Sequence, residues 1–253
     1  MSNTYSVSIE NSDIKSITVS CAQNTGGRSY QEDSAAFCGL KDGVAAAVAD
    51  GMGGLKDGGQ LSSLVTKKML EGIKAFSADI PIHRQFVSLI DEINASAAGS
   101  GSGSTACAVY CCSKGVYWCS VGDSRLYLVR RGKICRLTED GDYFNMLLER
   151  VMQGTLSLES ADGDPQRDYL YQYIGASRRL SPDFNFRPLV PEAGDSLLIC
   201  SDGVYNALSD KELAKAVSEG IEGSAERIAD RVMGKNIAAQ DNLTAFVMKF
   251  DTK

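Results

Sequence analysis

Apolar positions in this chain come in short bursts, most of them cut off by Gly or Asp. Nine of these, SITVSCA, SAAFCGL, GVAAAVA, STACAVYCC, GVYWCSV, RLYLVRR, KICRLT, SLLICS and LTAFVMKF, are rich in Val, Ile, Tyr and Phe and predict strands. Helical spacing replaces the short bursts over 59–76, where Leu61, Leu64, Val65, Met69, Ile73 and Phe76 recur, and over 84–97, where Phe86, Ile90, Ile93 and Ala97 do so. Two more helices are predicted near 209–218 and 224–233. Strands, two helices, a long strand series, a helical insertion and a closing strand–helices–strand unit suit antiparallel sheets covered by helices, an α+β sandwich, better than a strict βαβ repeat. The small-residue stretch AGSGSGS, 98–104, leads at once into STACAVYCC and is therefore expected to be a tight loop feeding a strand.

Composition narrows the classes. With 253 residues the chain is expected to be a single domain, 1–253. It has no apolar run near the ~20 residues that a membrane helix requires, so no membrane partner is expected. The first residues, MSNTYSVSIENSDIKS, lack a basic and then apolar leader, and the expected compartment is the cytoplasm. Eight cysteines sit mostly inside apolar segments, where Cys behaves as a small buried hydrophobe, and Cys111 and Cys112 do not match a CxxC metal spacing. The formal charge of −6 argues against nucleic acid, which demands a basic stripe. A small, metallic or proteinaceous ligand remains.

The candidate chemistry lies where apolar runs meet carboxylates. VAAAVADGMGG runs into Asp50, VYWCSVGDS into Asp123 and SLLICSDG into Asp202, whereas in QDNLTAFVMKF Asp241 precedes the apolar run. A lone Asp-Gly is often only a turn. Four carboxylates at the mouths of apolar strands, however, need a common compensating charge, because a buried unpaired carboxylate costs several kcal/mol. A divalent cation supplies it. With His83 the one histidine and no paired cysteines, oxygen donors point to Mg²⁺ or Mn²⁺. Gly51, lacking a Cβ, is expected to turn the backbone sharply and offer its carbonyl, and Gly53 and Gly54 to leave space for a substrate.

These residues resemble the metal-dependent protein phosphatases, the PPM or type 2C serine/threonine phosphatases. GGRSYQEDS, VADGMGG, GSGSTA, SVGDSR, LICSDGV and DNLT match six blocks of that family in order, from about Cys21 to Phe250, and the region around VMQGTLSLESADGDPQRDYLYQYIG is similar to the flap of bacterial members. The resemblance implies a four-layer α-β-β-α sandwich of two antiparallel sheets flanked by helices, with a small flap insertion at about 141–175. It implies that Asp50 bridges two Mn²⁺ or Mg²⁺ ions, that the Gly51 carbonyl binds one, and that Asp202 and Asp241 bind the other. Glu32 would reach the Gly51-side ion through water, with Asp33 behind it, and Asp123 with Asp202 would hold a third, weaker ion. Arg28 matches the arginine that clamps phosphate oxygens, and water activated between the two metals would attack phosphorus in line.

The substrates so implied are phosphorylated Ser/Thr proteins, targets of a bacterial Ser/Thr kinase. The alternatives are a catalytically silent phosphoprotein-binding regulatory module on the same fold and a metallohydrolase of small phosphate esters. Met52 stands where some relatives carry a His, leaving no proton donor identified. Gln31 replaces the usual Asn, Gly141 a frequent His, and Asp164 and Asp168 a common His and Asn of the flap. His83 is expected to be a surface or packing residue, and Tyr117 and Trp118 to fill core.

Overall fold

The alternation inside one strand sets the layers of the protein. In β4 (Gly43–Asp50), Val44, Ala46 and Val48 face one core while Ala45, Ala47 and Ala49 face another, and all six are buried. A strand covered on both sides can be apolar at every position, which is why this run lacks the usual polar alternation. The computed structural model describes residues 2–10, 12–41, 43–52 and 57–252, so Gly53 and Gly54 lie outside the described residues.

Two antiparallel sheets stack through the Val44 side of β4. One has the order β3 (Asp33–Leu40), β4, β5 (Ala106–Cys112), β6 (Gly115–Val121) and β9 (Asp183–Phe184). The other runs β1 (Ser2–Ser6), β2 (Ser16–Asn24), β11 (Leu243–Asp251), β10 (Ser196–Cys200), β7 (Arg125–Arg130) and β8 (Lys133–Arg136). Between them Val44, Val48, Ile17, Ile199, Phe246 and Phe250 form the inter-sheet core, each such side chain contributing about 1.5–3 kcal/mol of burial. Helices α1 (Gly58–Lys74) and α2 (Ile82–Ala97) cover the Ala face of β4, and α6 (Asp210–Ser218) and α7 (Ser224–Met233) cover Leu198, Ala245 and Val247. The four layers are α-β-β-α, in the α+β class. Tyr117 and the half-buried Trp118 pack against the two cores on either side of β6, as expected.

The flap leaves the second turn after β8 as α3 (Tyr143–Met152) and α4 (Leu158–Asp162). A backbone bridge between Asp142 and Leu170 closes its base, and a second bridge, Ser104 to Ile174, ties its end to the 98–104 loop. That loop does feed β5, with Gly99 and Gly101 at φ of 79° and 74°.

Some expectations need correction. Leu64 is 39% exposed and does not join the helix-to-sheet core, because the buried stripe of α1 passes through Leu61, Val65, Met69 and Ile73 and skips it. Cys135 is exposed on the edge strand β8, unlike the thiols of the apolar strands. Gly51 has no left-handed φ; the chain continues in a bridge to Ser104. A Cβ there would lie 2.4 Å from the Gly58 carbonyl oxygen and 2.8 Å from that of Glu32, so the glycine is required by close approach, not by a sharp turn.

Candidate metal centre

Antiparallel order brings the starts of β3, β5 and β11 and the ends of β4, β6 and β10 to one end of the sandwich. Asp33 and Asp50 are direct cross-strand partners there. Asp202 opens α5 (Asp202–Tyr205), a single turn that follows β10 directly. Asp123 sits in the β6–β7 turn beside Gly122, whose φ of 97° suits glycine. Asp241 precedes β11, and its Oδ1 accepts the Asn242 amide at 2.8 Å.

The carboxylates face one another across the two sheets. Asp50 lies opposite Asp33 in the β3–β4 ladder, and Asp202 follows Ser201, whose hydroxyl donates to Asp33. Burial, then the charges of Asp33, Asp202, Asp123 and Asp241, push its carboxyl well above the usual range. Burial, followed by Asp241 and Asp33, raises Asp202 to about 6. Burial, followed by Asp202 and Asp140, raises Asp123 to about 7, against a hydrogen bond from Tyr205. Each shift has the same two causes, burial first and the negative charge of neighbouring carboxylates second.

Asp33 is the most enclosed of the set. Its Oδ2 accepts from Ser201 Oγ and Thr244 Oγ1, both at 2.7 Å, while its Oδ1 is buried without a hydrogen-bond partner. Glu32 lies in the turn before β3: its amide donates to Asn242 Oδ1 at 2.7 Å, its carbonyl accepts the Gly51 amide at 3.1 Å, and its Oε1 lies against Gly58. Arg28 stands at the rim and donates to Asp241 Oδ2 at 2.8 Å, with both side chains nearly half exposed.

Among the described residues no three His, Cys, Asp or Glu side chains are grouped so as to hold a metal ion. The donor set nonetheless fits hard divalent cations. It is all oxygen, it draws on both sheets, and one buried carboxylate oxygen, Asp33 Oδ1, has no hydrogen-bond partner.

The sequence pattern of the protein phosphatase 2C family matches residues 25–247, nearly all of this framework. The chain belongs to the protein phosphatase 2C family. As such it is a phosphoprotein phosphatase. The protein phosphatase PhpP of Streptococcus pneumoniae is 27% identical over 221 residues, covering 81% of this chain and 85% of that protein. The serine/threonine phosphatase Stp1 of Staphylococcus aureus shares the fold at a TM-score of 0.76 and 24% identity, over 97% of each chain. The catalytic domain of the phosphatase PstP, solved in complex with two manganese ions, does so at a TM-score of 0.70 and 23% identity, covering 93% of this chain and 98% of that one.

Within this type 2C framework the departures have local explanations. Gly141 donates its amide to Gly122 O at 2.7 Å, and a Cβ on it would lie 2.9 Å from the Gly122 nitrogen, so a histidine has no room there. Gln31 Oε1 accepts the Asp33 amide at 3.0 Å. Asp164 accepts the Gln166 amide at 2.8 Å and the exposed Asp168 pairs with Arg167 at 3.4 Å, so both serve the flap's own turn. His83 packs its ring on Phe184 and Phe186, at 5.7 and 5.0 Å, as a packing residue.

Several supporting residues went unassigned in the sequence although they stand inside the matched blocks. Thr105, Ser201, Asn242 and Thr244 hold the backbone or carboxylates of the acids. Tyr205 and Asp140 act around Asp123, with Arg125 laid over the Tyr205 ring at 3.6 Å and paired to both Asp140 oxygens at 2.9 and 2.7 Å. A hydroxyl or amide next to a motif acid is the signal that could have found most of them.

Proposed function

We propose that the chain, working as one domain over residues 1–253, hydrolyses phosphoserine and phosphothreonine in proteins, with two Mn²⁺ or Mg²⁺ ions and a weaker third. The observation that carries this is Asp33, which pairs with Asp50 across β3 and β4 and is hydrogen-bonded to Ser201 and Thr244, next to Asp202 and Asp241 of the facing sheet. The two manganese ions of the PstP complex and the serine/threonine phosphatase relatives support it.

In this proposal Asp50, the Gly51 carbonyl, Glu32, Asp202 and Asp241 would hold the two principal ions. Asp123 with Asp202 serves the third. When bound, the cations would activate water and neutralise phosphate charge. Asp33 is held in place beside Asp50 by the Ser201 and Thr244 hydroxyls, behind the residues that would hold the ions. Arg28 spends one donor on Asp241, and its remaining N–H groups face solvent at the rim, where they can grip phosphate oxygens. The substrates would be products of a bacterial Ser/Thr kinase, in the cytoplasm where ATP-dependent kinases act.

The test is p-nitrophenyl phosphate turnover with and without Mn²⁺, alongside Asp202→Ala, and then phosphopeptides against small phosphorylated metabolites. Turnover should vanish on chelation, fall by more than ~100-fold in the variant, and favour the peptides. Chelator-indifferent turnover would overturn the metal assignment, and preference for metabolites the substrate class.

A further inference from the structure

A cavity of about 760 Å³ opens at the end of the sandwich opposite the carboxylates. Three elements run from one to the other: β3 starts at Asp33 and ends at Leu40, α1 starts against Gly51 and ends at Lys74, and β5 starts beside Thr105 and ends at Cys112. At about 1.5 Å per helical residue the 17 residues of α1 separate the two places by roughly 25 Å. The cavity therefore does not belong to the phosphatase centre.

Its wall is aromatic. Phe76 meets Tyr110 edge-on at 5.8 Å, and Tyr110 stacks on the buried Tyr117 at 6.5 Å, with Ile73 beneath. Its rim is cationic. Lys41 from the β3–β4 hairpin, Lys74 from the end of α1 and Lys114 from the β5–β6 turn are all exposed. Asp79 is the acid among the described lining residues, and Glu10 comes near Tyr117 from outside. The third side is already fixed, because Gln85 accepts the Ser77 amide at 2.8 Å and donates to Ser77 O and Ile80 O at 2.9 and 2.8 Å. A wall held in place before binding loses little ordering entropy when a ligand arrives.

We propose that this cavity binds a small amphipathic anion, an aromatic body carrying a carboxylate, sulfonate or phosphate group. The volume lies in the range of small-molecule sites. The stacked rings would receive the flat body, and Lys41, Lys74 and Lys114, from three separate segments that line the same cavity, would each be able to donate to the charged end.

The experiment is calorimetric titration of the intact chain with naphthalene sulfonate, with inorganic sulfate and uncharged naphthol as probes of each feature alone. Naphthalene sulfonate should bind once per chain, and the two partial probes at least about tenfold more weakly. Lys74→Glu with Lys114→Glu should weaken binding by about tenfold or more, and Lys41→Glu alone should weaken it measurably. Lys211→Glu, a charge reversal elsewhere, and Arg28→Ala, at the phosphatase end, should leave it unchanged. Retained p-nitrophenyl phosphate turnover shows that the lysine variants are folded. Absence of binding, indifference to all three lysine reversals, or loss in Arg28→Ala would each overturn the assignment.

Discussion

Thr105 holds Asp50 from both sides of its backbone: the threonine hydroxyl accepts the Asp50 amide at 2.8 Å, and the threonine amide donates to the Asp50 carbonyl at 2.8 Å. The same hydroxyl meets Ser124 Oγ at 2.7 Å, so the end of β4 is locked to the β6–β7 turn that carries Asp123. Thr105→Val keeps the shape and leaves a buried amide unpaired, at a cost of about 1–3 kcal/mol. Melting temperature and Mn²⁺-dependent turnover should fall together, whereas Thr105→Ser should keep most of both. A Val variant with wild-type turnover would mean that Asp50 is positioned by something else.

The titration of the acid group sets the pH dependence. Free aspartate titrates at about 3.9, whereas Asp202 and Asp123 are raised to about 6 and about 7. Between those values the folded chain holds more protons than the unfolded one, so the stability of the cation-free protein falls as pH rises from about 4 to about 7 and levels off above. Cations bind the ionised carboxylates, so the thermal shift on adding Mn²⁺ should be larger at about pH 8 than at about pH 5. Equal shifts, read by differential scanning calorimetry, would detach these aspartates from the cations.

Much of this was legible in the sequence because the chemistry sits at element ends, where apolar runs stop. VAAAVAD could be read as an apolar strand ending in an acid, Asp123 and Asp202 followed the same syntax, and Asp241 inverted it by preceding its apolar run. What escaped is local and polar. β1 is an edge strand of SNTYS and β9 has two residues, so neither carries an apolar signature. Asp202 looked like a strand-end turn, but its DGVY segment is one turn of helix, too short for periodicity. Thr105, Ser201 and Thr244 act by hydrogen bonds across 55, 168 and 211 positions, distances that a single sequence does not reveal.

Tyr205 supplies a narrower test. It favours the ionised form of the Asp123 carboxyl, and the Arg125 guanidinium lies over its ring at 3.6 Å. Tyr205→Phe keeps the ring and the cation contact while removing the hydroxyl. By the usual effect of an outer hydrogen-bonding partner, the Mn²⁺ concentration for half-maximal turnover should rise about tenfold, with turnover at saturating Mn²⁺ little changed. A fall in maximal turnover at unchanged Mn²⁺ demand would place Tyr205 at the substrate instead.

Gly203 is a site where a single methyl group should matter. A Cβ on it would sit 2.0 Å from the Asn242 carbonyl oxygen, a backbone atom that cannot swing away. Gly203→Ala must therefore push α5, and Asp202 with it, away from β11, with a penalty of about 1–3 kcal/mol or more. Gly163→Ala, whose Cβ would lie 3.2 Å from the Glu159 carbonyl in the flap, should cost far less. Comparable melting temperatures for the two variants would show that the Asp202 turn is not tightly packed.

Arg28 distinguishes charge from shape at the rim. Its ion pair with Asp241 is nearly half exposed, so little stability rests on it, and Arg28→Ala should leave the melting temperature almost unchanged. If the remaining donors grip phosphate, the loss falls on the substrate: kcat/KM should drop by about 100-fold, with the Mn²⁺ requirement nearly constant. Arg28→Lys restores the charge but not the planar fork, so it should recover only a small part of that loss. Full recovery by lysine would reduce the role of Arg28 to electrostatic attraction, and an altered Mn²⁺ requirement would assign it to Asp241 instead of to phosphate.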